Sequence, residues 1–248
     1  MRYRENTGIK QQILDSENAG RYLDAFSGYD YVLQSDPSAI FGLLDTLKNL
    51  GNYETMLHVV KAGYFNKTTD ASYFSKLAGY GVQASWRLCN WNQLESTLAK
   101  PIMSNDSDFE VHVGRLLLAT QKQNAEYFQN LLVKARMDVI NSLSAASMES
   151  YERVYPFIVK LQSLREMEEG FSSLNQESIN RLLNDWDNRI KSTQPSYKAR
   201  EPILNIRRAL FEIFNRKAEL GTTLLRLSKL ARNSGQYQIA ATSILRAK

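Results

Sequence analysis

The chain has 248 residues, 43% hydrophobic and 23% charged, which is enough apolar material for a packed core and excludes wholesale disorder. A net charge of +5 is too thinly spread to point to a polyanion, and a single cysteine, Cys89, allows no internal disulfide. Without a long apolar run, and with a polar first twenty residues, neither a membrane span nor a secretory leader is expected, so a folded intracellular protein is.

Five prolines and twelve glycines leave long windows without a breaker, and apolar residues recur in them at helical spacing, which predicts an all-α chain. Residues 1–15 read as a linker or an incomplete preceding repeat. A first helix is expected to begin near Ser16 and close at Ser35, Asp36 and Pro37, with Ser38 capping the next one. Leu43–Leu50 predicts an apolar helix that ends in a Gly51–Asn52 turn before Tyr53. Asn66–Asp70 reads as a polar loop, and Asn90 interrupts the segment between Trp86 and Leu94. Pro101–Asp108 predicts the longest loop of the first half, and the short apolar run Val111–Leu118 fits a helix or a strand. Longer helices are expected over Tyr127–Leu143 and Tyr151–Gly170. In the second, Val154, Phe157, Ile158, Leu161, Leu164 and Met167 draw one apolar stripe. Ile203, Ile206, Leu210, Ile213 and Phe214 draw another, with Pro202 placed in a first helical turn that tolerates its missing N–H. Leu220, Leu224, Leu227 and Ala231 form a third stripe before a turn at Asn233–Gly235.

Three turns share a character. Leu50-Gly51-Asn52-Tyr53, Cys89-Asn90-Trp91 and Ser234-Gly235-Gln236-Tyr237 each set an aromatic just beyond a small or polar turn that follows an apolar helix. Tyr53 to Trp91 is 38 residues and Trp91 to Tyr127 is 36, near the period of tetratricopeptide-like helix pairs. A helical-repeat solenoid is therefore expected over residues 16–150, continuing over 151–248 and cut inside a repeat at Lys248; a single globular bundle is the alternative.

No phosphate-cradling glycine loop, zinc-binding histidine pair or nucleophile elbow occurs, so no catalytic, cofactor-binding or metal residue is assigned. His58 and His112 read as interhelical, partly buried side chains, and Cys89 as a packed small hydrophobe. The neighbouring carboxylates Glu168 and Glu169 point apart on a helix, and Asp185 and Asp187 share a direction only in an extended segment. Lys198, Arg200, Arg207 and Arg208 gather around one predicted helix as a candidate interface, either for phosphates or for an adjacent domain, with Glu201 and Glu212 close by to soften the charge. The expected core includes Trp86, Trp91, Phe157, Leu161, Ile203, Ile206 and Leu210.

The run from Thr193 to Leu210, with Tyr197 and Lys198, then Glu201-Pro202-Ile203-Leu204 and the pair Arg207-Arg208, is the most specific stretch. It resembles the FAT region of the ATR-type checkpoint kinases, within the phosphatidylinositol-kinase-related protein kinases. Trp86-Arg87-Leu88 with Trp91, and Tyr155-Pro156-Phe157, are similar to earlier helices of that region and stand in the same order. The resemblance covers residues 20–248. It implies a noncatalytic α-solenoid whose partners are the adjacent repeats and a C-terminal Ser/Thr kinase domain of the same parent chain. ATP and a divalent metal are implied only for that kinase domain, none of whose motifs is present here. It further implies a nuclear parent that signals DNA damage and replication stress, phosphorylates Ser or Thr before Gln, and is recruited to protein-coated single-stranded DNA by a dedicated partner. A freestanding helical-repeat adaptor is the alternative, and a nucleic-acid-binding helical protein, resting on mild positive charge alone, is the weakest.

Overall fold

The computed structural model describes residues 2–64, 71–100, 108–145, 151–174 and 179–247, the side chains of residues 2–7 excepted. The loops expected at residues 66–70 and 101–107 lie outside the described residues. Among those described, the chain is helical throughout, with no strand. The helices are α1 (Arg2–Asn18), α2 (Tyr22–Leu33), α3 (Ile40–Leu50), α4 (Tyr53–Gly63), α5 (Ala71–Arg87), α6 (Trp91–Leu98) and α7 (Phe109–Gln121). They continue as α8 (Ala125–Ala145), α9 (Tyr151–Ser173), α10 (Asn180–Ser192), α11 (Tyr197–Ile213), α12 (Lys217–Asn233) and α13 (Tyr237–Arg246). A single 3₁₀ turn, Pro37–Ala39, precedes α3. None of the described helices is long and apolar enough to cross a membrane. Val111–Leu118, ambiguous as a short run, lies inside α7.

Among the described residues, one turn chemistry recurs six times. Gly20, Gly51, Cys89, Gln123, Asn215 and Gly235 all take positive φ, between 53° and 76°. At each, the next residue's N–H donates to the carbonyl five residues back, as Asn52 does to Leu47, Asn90 to Ser85 and Asn124 to Ala119. This pattern satisfies the orphan carbonyls of the ending helix and sends the next helix back antiparallel. The first four turns are 31, 38 and 34 residues apart, so they mark a repeat of helix pairs. Asn52 and Asn90 then cap the following helices by accepting from the N–H groups of Thr55 and Gln93.

Consecutive helices pack on one another from α1 to α9, α9 then packs on α11, and α11, α12 and α13 follow in order. This is the neighbour-on-neighbour packing of a helical-repeat solenoid. The largest core cluster runs from Ala78 in α5 to Phe211 in α11 and holds Trp86, Phe128 and Trp186; a second, around Leu44, Leu47 and Met56, joins α3, α4 and α5.

Three local expectations are corrected. The helix expected from near Ser16 to Ser35 is two helices, since the chain turns at Gly20 between α1 and α2; residues 2–15, in the stretch expected as a linker or an incomplete preceding repeat, fall in α1, whose Ile9 and Ile13, one turn apart, pack against Ala25 and Val32. Ser38 does not cap the next helix; the Asp36 carboxylate accepts from the Ser38 N–H at 3.0 Å. Pro202 is not in a first turn but sixth in α11, and Pro156 is sixth in α9. Ser196 starts α11 earlier than the proline does, accepting from the Ala199 N–H at 3.3 Å.

Candidate functional site: the charged seam around α11

Helix α11 packs against α5, α7, α9 and α12, so it is covered on nearly every side. Its stripe of Ile203, Ile206 and Leu210 sits in the core, and so do Leu204, Ala209 and Phe211. A helix buried this fully carries its charged residues inside with it. Arg207 and Arg208 are only 2% and 7% exposed. A buried cation is tolerated only where carboxylates and carbonyls replace its water.

Arg207 finds a complete set. Its Nε donates to Glu166 Oε2 at 2.6 Å and its Nη2 to Glu166 Oε1 at 2.7 Å, a two-pronged match to a carboxylate that is itself wholly buried in α9. The same Nη2 donates to the Trp186 carbonyl at 2.8 Å. At the other end of that residue, the Trp186 indole N–H donates to Glu169 at 2.9 Å, and Glu169 also accepts two bonds of 2.7 Å from Arg189. Burial pushes the Glu169 carboxyl up, but the donors Arg189, Trp186 and Arg165 outweigh it and hold the group below its ordinary 4.5. Helix α10 is thus pinned to α9 and α11 through one tryptophan, whose ring also meets Phe211 at 5.9 Å.

The second half of the seam ties α11 to α5. Arg87, the last residue of α5, pairs with Glu201 and lies 3.8 Å from Glu110. Glu201 also accepts from Asn205 Nδ2 at 2.7 Å, and Glu110 from the Trp86 indole at 3.0 Å. The Arg208 Nη2 donates to the Arg87 carbonyl. Burial pulls the Arg87 pKa down, yet Glu201 and its neighbours raise it overall, whereas burial lowers that of Arg208 with too little to offset it. Burial likewise raises the Glu110 carboxyl against the pull of Arg87, and the Tyr53 phenol beside it. Pairs joining residues 41, 114 and 121 positions apart make this a structural clamp between distant helices, with no exposed nucleophile in it. Among the described residues, no group of three His, Cys, Asp or Glu is placed to hold a metal ion.

The four basic residues singled out from the sequence do not share a face. Lys198 is exposed, Arg200 is half-buried and donates to the Thr193 carbonyl at 2.7 Å, and Arg207 and Arg208 are interior. Trp86, Ile203, Ile206 and Leu210 are buried, while Trp91, Phe157 and Leu161 are half-buried against the same core. Glu168 and Glu169 diverge, to Arg136 and Arg189, and Asp187 in α10 pairs with Arg226. His112 is buried with its Nε2 2.8 Å from Asp138, and burial lowers its pKa. His58, expected to be interhelical, is exposed on α4. Glu166, Glu201 and Trp186 were not singled out as functional; the available signal was a charge embedded in an apolar stripe, as Glu166 is between Leu164 and Met167.

The FAT domain profile matches residues 78–248. The chain is 30% identical, over 98% of its length, to the serine/threonine-protein kinase ATR of Arabidopsis thaliana and 29% identical, over the same share, to that of Oryza sativa subsp. indica. It is 26% identical over 96% of its length to protein kinase rad3 of Schizosaccharomyces pombe. In each case it spans about a tenth of the relative's length.

Proposed function

The chain belongs to the FAT-domain family, as a non-catalytic helical segment of the ATR and rad3 type, and from that premise we propose that it holds a parent chain's kinase domain in working position. The observation that carries this reading is the Arg87–Glu201 pair, with Arg208 on the Arg87 carbonyl. It fastens α5 to α11 at the centre of the solenoid, so that a load on one helix reaches the other through a rigid link rather than through successive repeats. The parent is a Ser/Thr kinase of the DNA-damage and replication-stress checkpoint, nuclear, and brought to coated single-stranded DNA by a dedicated partner. ATP and a divalent metal belong to its kinase domain. Direct nucleic-acid binding by this segment is not part of the reading: two of its four candidate basic residues are interior.

Arg87→Met in the full-length parent tests the reading. Kinase activity on a Ser-Gln peptide is expected to fall together with the thermal stability of the FAT region, and the reciprocal Glu201→Gln to do the same. A FAT region loosened by several degrees beside unchanged kinase activity would overturn the supporting role.

A further inference from the structure

Arg208 is the exception in the seam. Among the described residues it forms no ion pair, its single hydrogen bond goes to the Arg87 carbonyl, and its Nε has no partner although the residue is 7% exposed. It lines a cavity of about 50 Å³ enclosed by the start of α4, the end of α5, α11, α12 and α13. Arg87 and Arg246 line the same space. Of the carboxylates nearby, Glu201 lines the cavity but is taken by Arg87 and Asn205, and Glu54, 3.7 Å from Arg246, is 76% exposed. Three guanidinium groups therefore surround a small space; Arg87 is matched by Glu201 and Glu110 and Arg246 by Glu54, which leaves Arg208 without a carboxylate. The opening of α4 at Tyr53 adds the positive end of its helix dipole.

An uncompensated buried cation is costly, and the cost is relieved by an anion that enters the space. A space of this size is large enough for a few waters or a single small oxyanion. Thr242 and Asn205 line it as well, but their donors are spent on the Gln238 carbonyl and on Glu201, so the bonds to an ion fall to the arginines. We propose that this cavity is an oxyanion site in which Arg208, with Arg246 on the solvent side and Arg87 behind, takes one phosphate- or sulfate-sized ion that fastens α13 to α4 and α11. The contact it strengthens already exists: Ile239 of α13 packs over Gly51 at the α3–α4 turn. The site shares Arg87 and Arg208 with the clamp, but its test reads a phosphate response and not kinase activity, so either proposal can fail without the other.

Hydrogen–deuterium exchange of the intact protein, titrated with inorganic phosphate against sodium chloride of matched ionic strength, tests this. Amides of α13 and of the first turn of α4 are expected to slow saturably, by about threefold at twice the dissociation constant. Arg208→Gln should abolish the response, and Arg246→Gln should weaken the apparent affinity about tenfold. Thr242→Glu supplies a tethered carboxylate and should give the slowed state without phosphate. Equal slowing in chloride, or a phosphate response that survives Arg208→Gln, means an adventitious ion only and overturns the site; so does the absence of any response. If Arg208→Gln does not fold, Arg246→Gln and Thr242→Glu decide the matter, since both positions are exposed.

Discussion

Helices α3 and α4 and the pair α9 and α11 bury themselves in different ways. The first pair packs Ile40, Leu43, Leu44 and Leu47 against Met56, Leu57 and Val60. Its one buried polar side chain, Thr46, donates to the Gly42 carbonyl of its own helix at 2.9 Å. The second pair buries Ser163, Glu166, Arg207 and Arg208, and the arginines' partners lie 41, 21 and 121 residues away. An N-terminal hairpin of this kind draws its stability from its neighbours in sequence, as repeats do. Helix α11 is satisfied only when α5, α9 and α10 are all in place, so the centre of the solenoid is cooperative where its N-terminal side is local.

Glu166→Ala puts this contrast to its hardest test. It strands Arg207 in the interior and should cost about 3–5 kcal/mol in chemical denaturation, whereas Glu166→Leu combined with Arg207→Met should recover most of the loss. A single-mutant loss under about 1 kcal/mol would end the distinction between the two regions. Next in size, Leu47→Ala and Leu210→Ala should each cost about 2–5 kcal/mol, because both side chains are fully enclosed. Their reach should differ. Hydrogen exchange is expected to quicken only in α2 to α5 for Leu47→Ala, but in α5, α9, α10 and α12 together for Leu210→Ala.

Gly51→Ala and Gly235→Ala separate the turn from what packs on it. Both glycines have positive φ, 68° and 76°, so each alanine should cost about 1–2 kcal/mol of backbone strain, measured as a fall in the unfolding midpoint. A Cβ at Gly235 meets nothing within 4 Å, while one at Gly51 meets Ile239 of α13. The excess loss in Gly51→Ala therefore reads how firmly α13 is docked. The smallest expected effect is in acid. Glu169 has a lower pKa folded than its ordinary 4.5, so its contribution is complete above 4.5 and disappears as pH falls through the folded value. Stability measured below pH 4.5 should decline less steeply in Glu169→Gln, and an unchanged slope would remove Glu169 from the α9–α10 joint.

Much of the frame was readable from local chemistry. Gly51, Cys89 and Gly235 announced three of the six left-handed turns, since a small residue, a cap and an aromatic at the next helix start are signals within four residues. Gln123 and Asn215 adopt the same conformation without a small residue and passed unnoticed, and so did Gly20, across which a single helix was expected. The third helix start holds Ala125 rather than an aromatic, which is why counting to Tyr127 gave 36 residues where the turns themselves are 34 apart. Residues 1–15 stayed open between a linker and an incomplete repeat because Ile9 and Ile13 are too few to draw a stripe until α2 covers them.

The fate of the charges was not readable in this way. Periodicity and turn chemistry depend on residues within a few positions of one another, so they are written in the chain and determine helices, hairpins and repeat. Whether Arg207 faces water or Glu166, and whether Arg208 is matched at all, depends on helices that come from elsewhere in the sequence. A guanidinium next to Leu210 reads as solvated until α5, α9 and α12 close around it. Only the packed structure decides that, because desolvation is a property of everything surrounding a charge and not of the segment that carries it.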